Sequence, residues 1–174
     1  MNQLTQQVII EAHKWTGVKE VGHNSGPHID EWLRRVHCAP GAPWCAAFAW
    51  SMLEDACEAL GLTNPLLPTA GVFTLIARAK AAGAWTTEAG PGYIFGIDHG
   101  VGTDGQHLGH CGIVCEVGPL HLVTIEGNTN EAGSREGNAV VLKTRRIDEP
   151  TLGYLDPGLL LVGQQCSEAT PENG

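Results

Sequence analysis

The stretch "HCGIVCEVGPLHLVTIEGN", residues 110–128, decides how the second half of this chain folds. Two runs rich in β-branched residues flank a Gly-Pro pair, and the connection between them is too short for a crossover helix. They therefore read as antiparallel strands of one hairpin turning about residue 119. Residues whose numbers sum to about 238 then lie opposite each other, which sets His110 across from the end that carries Glu126 and Asn128. Glu126 and Asn128 share a side-chain direction, and a carboxylate and an amide there are both suited to orient an imidazole.

Similar short runs surround the hairpin: "AWTT" (84–87), "GYIFGID" (92–98), "NAVVLKTRRI" (138–147) and "GLLLVG" (158–163). Together they predict five or six strands. Upstream the period changes to that of helices. Residues 4–16 place Val8, Ile9, Ala12 and Trp15 near one face, ahead of Gly17. In "NSGPHIDEWLRRVH" the residues Ile29, Trp32, Leu33 and Val36 form an amphipathic stripe, with Ser25 or Asn24 available as cap. "PWCAAFAWSMLEDACEALG" (43–61) is apolar on most sides and predicts a buried helix closing at Gly61; "GVFTLIARAKAAG" (71–83) predicts a fourth. The expected class is α+β, with N-terminal helices packed on one face of a five- to six-stranded antiparallel sheet. Residues 1–165 are expected to form one domain and residues 166–174, "CSEATPENG", a loose polar tail.

A net charge of −9 with only ten Lys and Arg argues against a nucleic-acid partner. The one basic group, "KTRR" at 143–146, reads as a solvated strand face. No apolar run is long enough to span a membrane, and "MNQLTQQVII" lacks the pattern of a secretory signal, so the six cysteines are expected to stay reduced. "HLGHCGIVC" (107–115) gathers His107, His110, Cys111 and Cys115, which raises a metal-binding reading. In a strand, however, Cys111 and Cys115 point away from His110. No metal and no cofactor are expected.

Cys45 stands behind Pro43 and Trp44 in "GAPWCAAFAW" (41–50). If Pro43 takes the first helical position, Cys45 lies in the first turn, where free N–H groups and the helix dipole favour a thiolate. Those N–H groups could also donate to an oxyanion. Taken alone, this position admits packing as readily as nucleophilic chemistry. Such chemistry needs an imidazole nearby and a third group to hold it. Of eight histidines, His110 follows Gly109 at the start of "HCGIV", and Glu126 and Asn128 face it.

"PWCAAF" heading a buried helix, "GHCGIV" opening a strand and "IEGNTN" ending the next resemble the CHAP amidase/peptidase domains, peptidoglycan-cleaving members of the papain-like and NlpC/P60 superfamily. The likeness runs from about "GVKEVGHNSG" to "VVLKTRRI"; 65 positions separate Cys45 from His110 and 16 separate His110 from Glu126. "PGYIFGID" is similar to a family strand in which an Asp is usual where Tyr93 stands. The resemblance implies a papain-like fold, with Cys45 as nucleophile, His110 as base and then acid, Glu126 as orienter, and Asn128 supporting or replacing it. Some members bind calcium before the cysteine, but no carboxylate follows Glu31 there, so no calcium is expected. His121, the candidate third member in the NlpC/P60 pattern, sits at the far end of the hairpin. The implied activity is cleavage of a peptidoglycan amide through a cysteine thioester. The implied setting is that of a small phage endolysin, a monomer held in the host cytoplasm until release to the cell wall. An interbacterial toxin travelling with an immunity protein, and a non-catalytic module on the same fold, are the alternatives.

Overall fold

The computed structural model describes residues 1–103, 105–129 and 137–161. The proposed tail at 166–174, with Cys166, lies outside them. Four helices precede the sheet: α1 (Gln3–His13), α2 (Pro27–Arg35), α3 (Cys45–Ala59) and α4 (Val72–Ala81). Six strands follow: β1 (Trp85–Thr86), β2 (Ile94–Val101), β3 (His107–Val117), β4 (His121–Thr129), β5 (Ala139–Arg146) and β6 (Gly153–Leu155). They form one antiparallel sheet in the order β1-β6-β2-β3-β4-β5, so the class is α+β. No helix among the described residues is long and apolar enough to cross a membrane.

The β3–β4 hairpin has the expected register near its centre, with Ile113 opposite Ile125 and Val114 opposite Thr124. A bulge at Cys115 then shifts the pairing so that Val117 meets Leu122. Alternation along the strands separates two apolar faces. Ile94, Cys111, Ile113 and Ile125 join the helices in the main core, while Phe95, Ile97, Val114, Leu122 and Tyr154 form a smaller cluster on the other side. Helix α3 is the centre of the main core: every residue from Cys45 to Leu53 is buried.

Three local expectations are corrected. "GLLLVG" is not a strand: residues 157–161 take a helical turn, and the sixth strand is Gly153–Leu155. Pro157 cannot donate to a ladder, and Asp156 Oδ1 instead accepts from Gly158 N (2.7 Å), bending the chain into the turn. Helix α2 is not capped by Ser25 or Asn24; Gly26 is the N-cap, and the Ser25 hydroxyl donates to Asp30 Oδ1 at 3.0 Å. Pro43 is not the first helical residue either. Trp44 is the N-cap of α3, its carbonyl accepting from Phe48 N at 2.9 Å, so Cys45 itself begins the helix.

Glycine decides how closely α3 approaches the sheet. A Cβ on Gly127 would stand 2.5 Å from Trp44 Cζ3 and 3.0 Å from Phe48 Cβ. Both aromatic rings are fully buried, with no room to yield. Gly127→Ala should therefore lower stability by about 1–3 kcal/mol through overpacking, read as a lower urea midpoint at unchanged slope. An unaltered midpoint would mean that α3 is not seated on β4 at this point.

Candidate active site

The sulfur of Cys45 is positioned by what holds Trp44. The Trp44 indole stacks on Trp32 with centroids 5.5 Å apart, and its Nε1 donates to Glu20 Oε1 at 2.8 Å. Glu20 Oε2 in turn accepts from Asn24 N at 2.9 Å. In the orientation that satisfies all its neighbours, the Asn128 amide accepts from Trp44 N at 3.2 Å and donates to Asn24 Oδ1 at 3.1 Å and Gly137 O at 2.8 Å. Asn24 and Asn128 both adopt left-handed backbone, at φ 48 and 56, a region Asn tolerates better than most residues. Asn128 thus anchors the start of α3. The carboxylate that meets the imidazole is Glu126.

The last cross-strand pair of β3 with β4 is Ile113–Ile125, although both strands run on toward residues 107 and 129. Trp44 enters there, against Gly127, which brings Cys45 to His110. His110 Nε2 lies 2.7 Å from Glu126 Oε2, and the carboxylate is fully buried. Glu126 Oε1 accepts from Thr124 Oγ1 (2.6 Å) and Arg145 Nε (2.6 Å), while Arg145 Nη2 donates to Oε2 at 2.7 Å. Gly112 makes room for this group, since a Cβ there would stand 2.6 Å from Glu126 Cγ and 2.9 Å from Phe95 Cε1. Phe95 lies beside the imidazole at 6.3 Å between centroids and beneath the Arg145 guanidinium at 5.5 Å.

The other imidazole nitrogen, Nδ1, is buried and makes no conventional hydrogen bond. It is the nitrogen left to serve the neighbouring sulfur, and resting contacts of this kind are commonly long until a substrate closes them. The electrostatics agree with a charged pair. The neighbouring Cys111 thiol, which keeps its own proton, and then the nearby His110 imidazolium hold the Cys45 thiol well below its ordinary range against burial. Burial disfavours charge on His110, but Cys45 and Glu126 outweigh it and hold the imidazolium up to about 9. Glu126 is likewise held at about 2, because His110 and Arg145 overcome desolvation. Burial pushes Cys57 and Cys115 the other way, to about 12.

A cleft of about 330 Å³ opens on the sulfur. It is lined by Pro43 and Cys45, by Val72 and Phe73 at the start of α4, and by His107 and Gly109 on β3, which pack against those α4 residues. His110 is 1% exposed and lies behind the sulfur. His107 packs edge-on against Phe73 at 5.5 Å, and His121 pairs with Arg146 at the hairpin's far end. Among the described residues no group of three or more His, Cys, Asp or Glu is placed to hold a metal ion, so His107, His110, Cys111 and Cys115 do not converge.

Sequence reasoning missed Arg145, Cys111, Thr124 and Gly112. The solvated reading of "KTRR" is corrected for Arg145, which is 7% exposed, whereas Arg146 is exposed and pairs with Asp148. A buried carboxylate demands a cation, and this was the chain's one basic group, so the signal was present once Glu126 was placed inside. The two glycines flanking "HC" in "GHCGIV" carried the other signal, since glycine inside a strand often marks a close approach.

No protein-family model matches the chain, and no curated protein matches it. Among solved structures it is similar to the crystal structure of Ly7917, at 17% identity and a TM-score of 0.49 over 87% of this chain. The matched part spans 59% of the length of that protein.

Cys45 should be alkylated by iodoacetamide at a pH well below that needed by Cys57 or Cys115, with labelled peptides counted by mass spectrometry. Equal pH midpoints for the three would overturn the thiolate assignment. Glu126 has a folded-state value of about 2 against an ordinary 4.5. Its contribution to stability is therefore present above pH 4.5 and lost as pH falls toward 2. Glu126→Gln should flatten that acid loss in urea titrations.

Proposed function

We propose that this chain is a cysteine-dependent amide hydrolase of the papain-like CHAP and NlpC/P60 type, acting on peptidoglycan. The observation that carries the reading is the sulfur of Cys45 at the first position of a buried helix, beside an imidazole held by a buried carboxylate. The Cys45 thiol is held low and the His110 imidazolium high, the directions a thiolate–imidazolium pair requires, and Cys45 is the one cysteine among the residues that line the cleft. The peptidoglycan assignment rests on "PWCAAF", "GHCGIV" and "IEGNTN", which resemble the corresponding family segments.

In this mechanism the Cys45 thiolate attacks a carbonyl carbon of the stem or cross-bridge. The carbonyl π electrons move to oxygen, and backbone N–H groups at the start of α3 meet the oxyanion. His110 Nδ1, protonated at rest, gives its proton to the departing amine nitrogen as the C–N bond breaks and leaves a thioester. Neutral His110 then takes a proton from water, whose oxygen attacks the thioester carbon and releases the acid and the thiolate. Glu126 keeps the imidazole oriented through both steps, and acid–base help of this kind supplies about 10²–10⁴-fold. The charge of −9 offers no attraction to an anionic wall, so recognition falls to the cleft. Host-cell lysis by a phage endolysin, stored in the cytoplasm and active as a monomer at the wall, is the setting this reading favours.

Cys45→Ala should reduce turnover of purified peptidoglycan by about 10⁴-fold or more while the thermal unfolding midpoint stays close to that of the parent chain. Mass spectrometry of the released fragments identifies the bond. Undiminished release by a folded Cys45→Ala variant would overturn the proposal.

A further inference from the structure

Among the described residues, Arg145 is the one basic side chain joined to the His110–Glu126 pair by direct hydrogen bonds, and it does not line the cleft that opens on Cys45. Its Nε and Nη2 take both oxygens of Glu126, at 2.6 and 2.7 Å, in the two-pronged geometry that only a guanidinium provides. Its remaining terminal nitrogen, Nη1, donates to Glu149 Oε2 at 2.7 Å, which ties the arginine to the turn after β5. Phe95 packs against its face and against the imidazole. We propose that Arg145 is a positioning residue for the candidate site: its fork fixes Glu126 and so aims the His110 imidazole at Cys45, while its charge keeps the carboxylate from binding the imidazolium proton too tightly. The kinetic part of this proposal rests on the hydrolase reading above; the structural part does not.

Two roles are separable because orientation and charge come from different properties of the side chain. A free carboxylate rotates about its last bond, and single contacts to His110 and to the Thr124 hydroxyl, itself a rotor, hold that rotation only loosely. Two parallel N–H donors from a planar group held at both ends close it. For charge, the groups around His110 must be taken together. Cys45 faces it from α3, with Cys111 beside that sulfur. Glu126 faces it from β4, and behind Glu126 stand Arg145 and Lys143 from β5 and Glu149 from the following turn. His99 on β2 stands 6.5 Å away, ring to ring. Loss of Arg145 leaves two acids, a thiolate and Lys143, which makes the surroundings more negative. The imidazolium is then held more firmly and gives its proton less readily to a leaving amine.

The test compares Arg145→Lys and Arg145→Met with the parent chain by two readouts. The first is the His110 titration followed by NMR, which needs no substrate. The second is the pH profile of peptidoglycan hydrolysis. Arg145→Met should raise the His110 midpoint by about one pH unit, move the alkaline limb of the profile upward with it, and lower kcat on the order of tenfold with KM little changed. Arg145→Lys keeps the charge without the fork; it should leave the midpoint near that of the parent yet still lower kcat. If Arg145→Met fails to fold, a folded Arg145→Lys variant decides alone, since parental kcat in that protein overturns the positioning role. An unshifted His110 midpoint in folded Arg145→Met overturns the charge role. Should the parent chain itself hydrolyse no peptidoglycan, the hydrolase reading falls, and the NMR titration still decides the charge role of Arg145.

Discussion

A carboxylate sealed from water has to be compensated on every side, and Glu126 is such a group. Transferring an isolated carboxylate into a protein interior is prohibitive unless partners replace its hydration. Here the replacements come from three strands: His110 from β3, Thr124 from β4 itself and Arg145 from β5. Each partner constrains the strand that carries it, so the carboxylate acts as a rivet through the middle of the sheet. Gly112 is the void into which that rivet is driven, and Phe95 is the apolar wall beside it.

On the opposite face of the sheet a different constraint operates. Helix α3 is buried on nearly all sides, with Ala46, Ala47 and Ala49 letting neighbouring elements come close. Its first residue carries the sulfur, and the residue before it is held by Trp32, Glu20 and Asn128. The two constraints meet where β3 and β4 stop pairing. Trp44 enters at that point, and Cys45 comes within reach of an imidazole whose other nitrogen is already committed to Glu126. The helix face sets the sulfur and the sheet face sets the ring; neither arrangement alone would bring the two together.

The hairpin could be read from sequence because alternation and a short Gly-Pro turn leave little choice of register, and Ile113–Ile125 and Val114–Thr124 pair as that reasoning required. Helix α3 was equally legible, since an unbroken Ala-rich apolar run has few other fates. The hairpin set His110 beside Glu126, while joining Cys45 to them rested on a thiolate's need for an imidazole and on the family resemblance. What escaped were effects that need the third dimension. Arg145 lies in a run of polar residues whose burial depends on a charge placed by another strand. The expected first-turn role of Pro43 failed because the Asn128 side chain accepts from Trp44 N and Trp44 itself stands as the N-cap. Ser25 was spent on Asp30 and not on a helix end. "GLLLVG" has strand composition, yet Pro157 precedes it and the place between β1 and β2 is already filled by Gly153–Leu155.

The walls of the cleft differ from its floor in how they are made. The floor is the head of α3, where any change of volume would disturb packed aromatic rings. The walls belong to the first turn of α4 and to the outer end of β3, where Gly71, Gln106 and His107 are exposed. Variation can therefore accumulate on the rim without disturbing the reactive centre. Under the hydrolase reading proposed above, descendants of this chain could change which molecules they accept through rim substitutions while keeping one chemistry, a separation that makes the scaffold readily diversified.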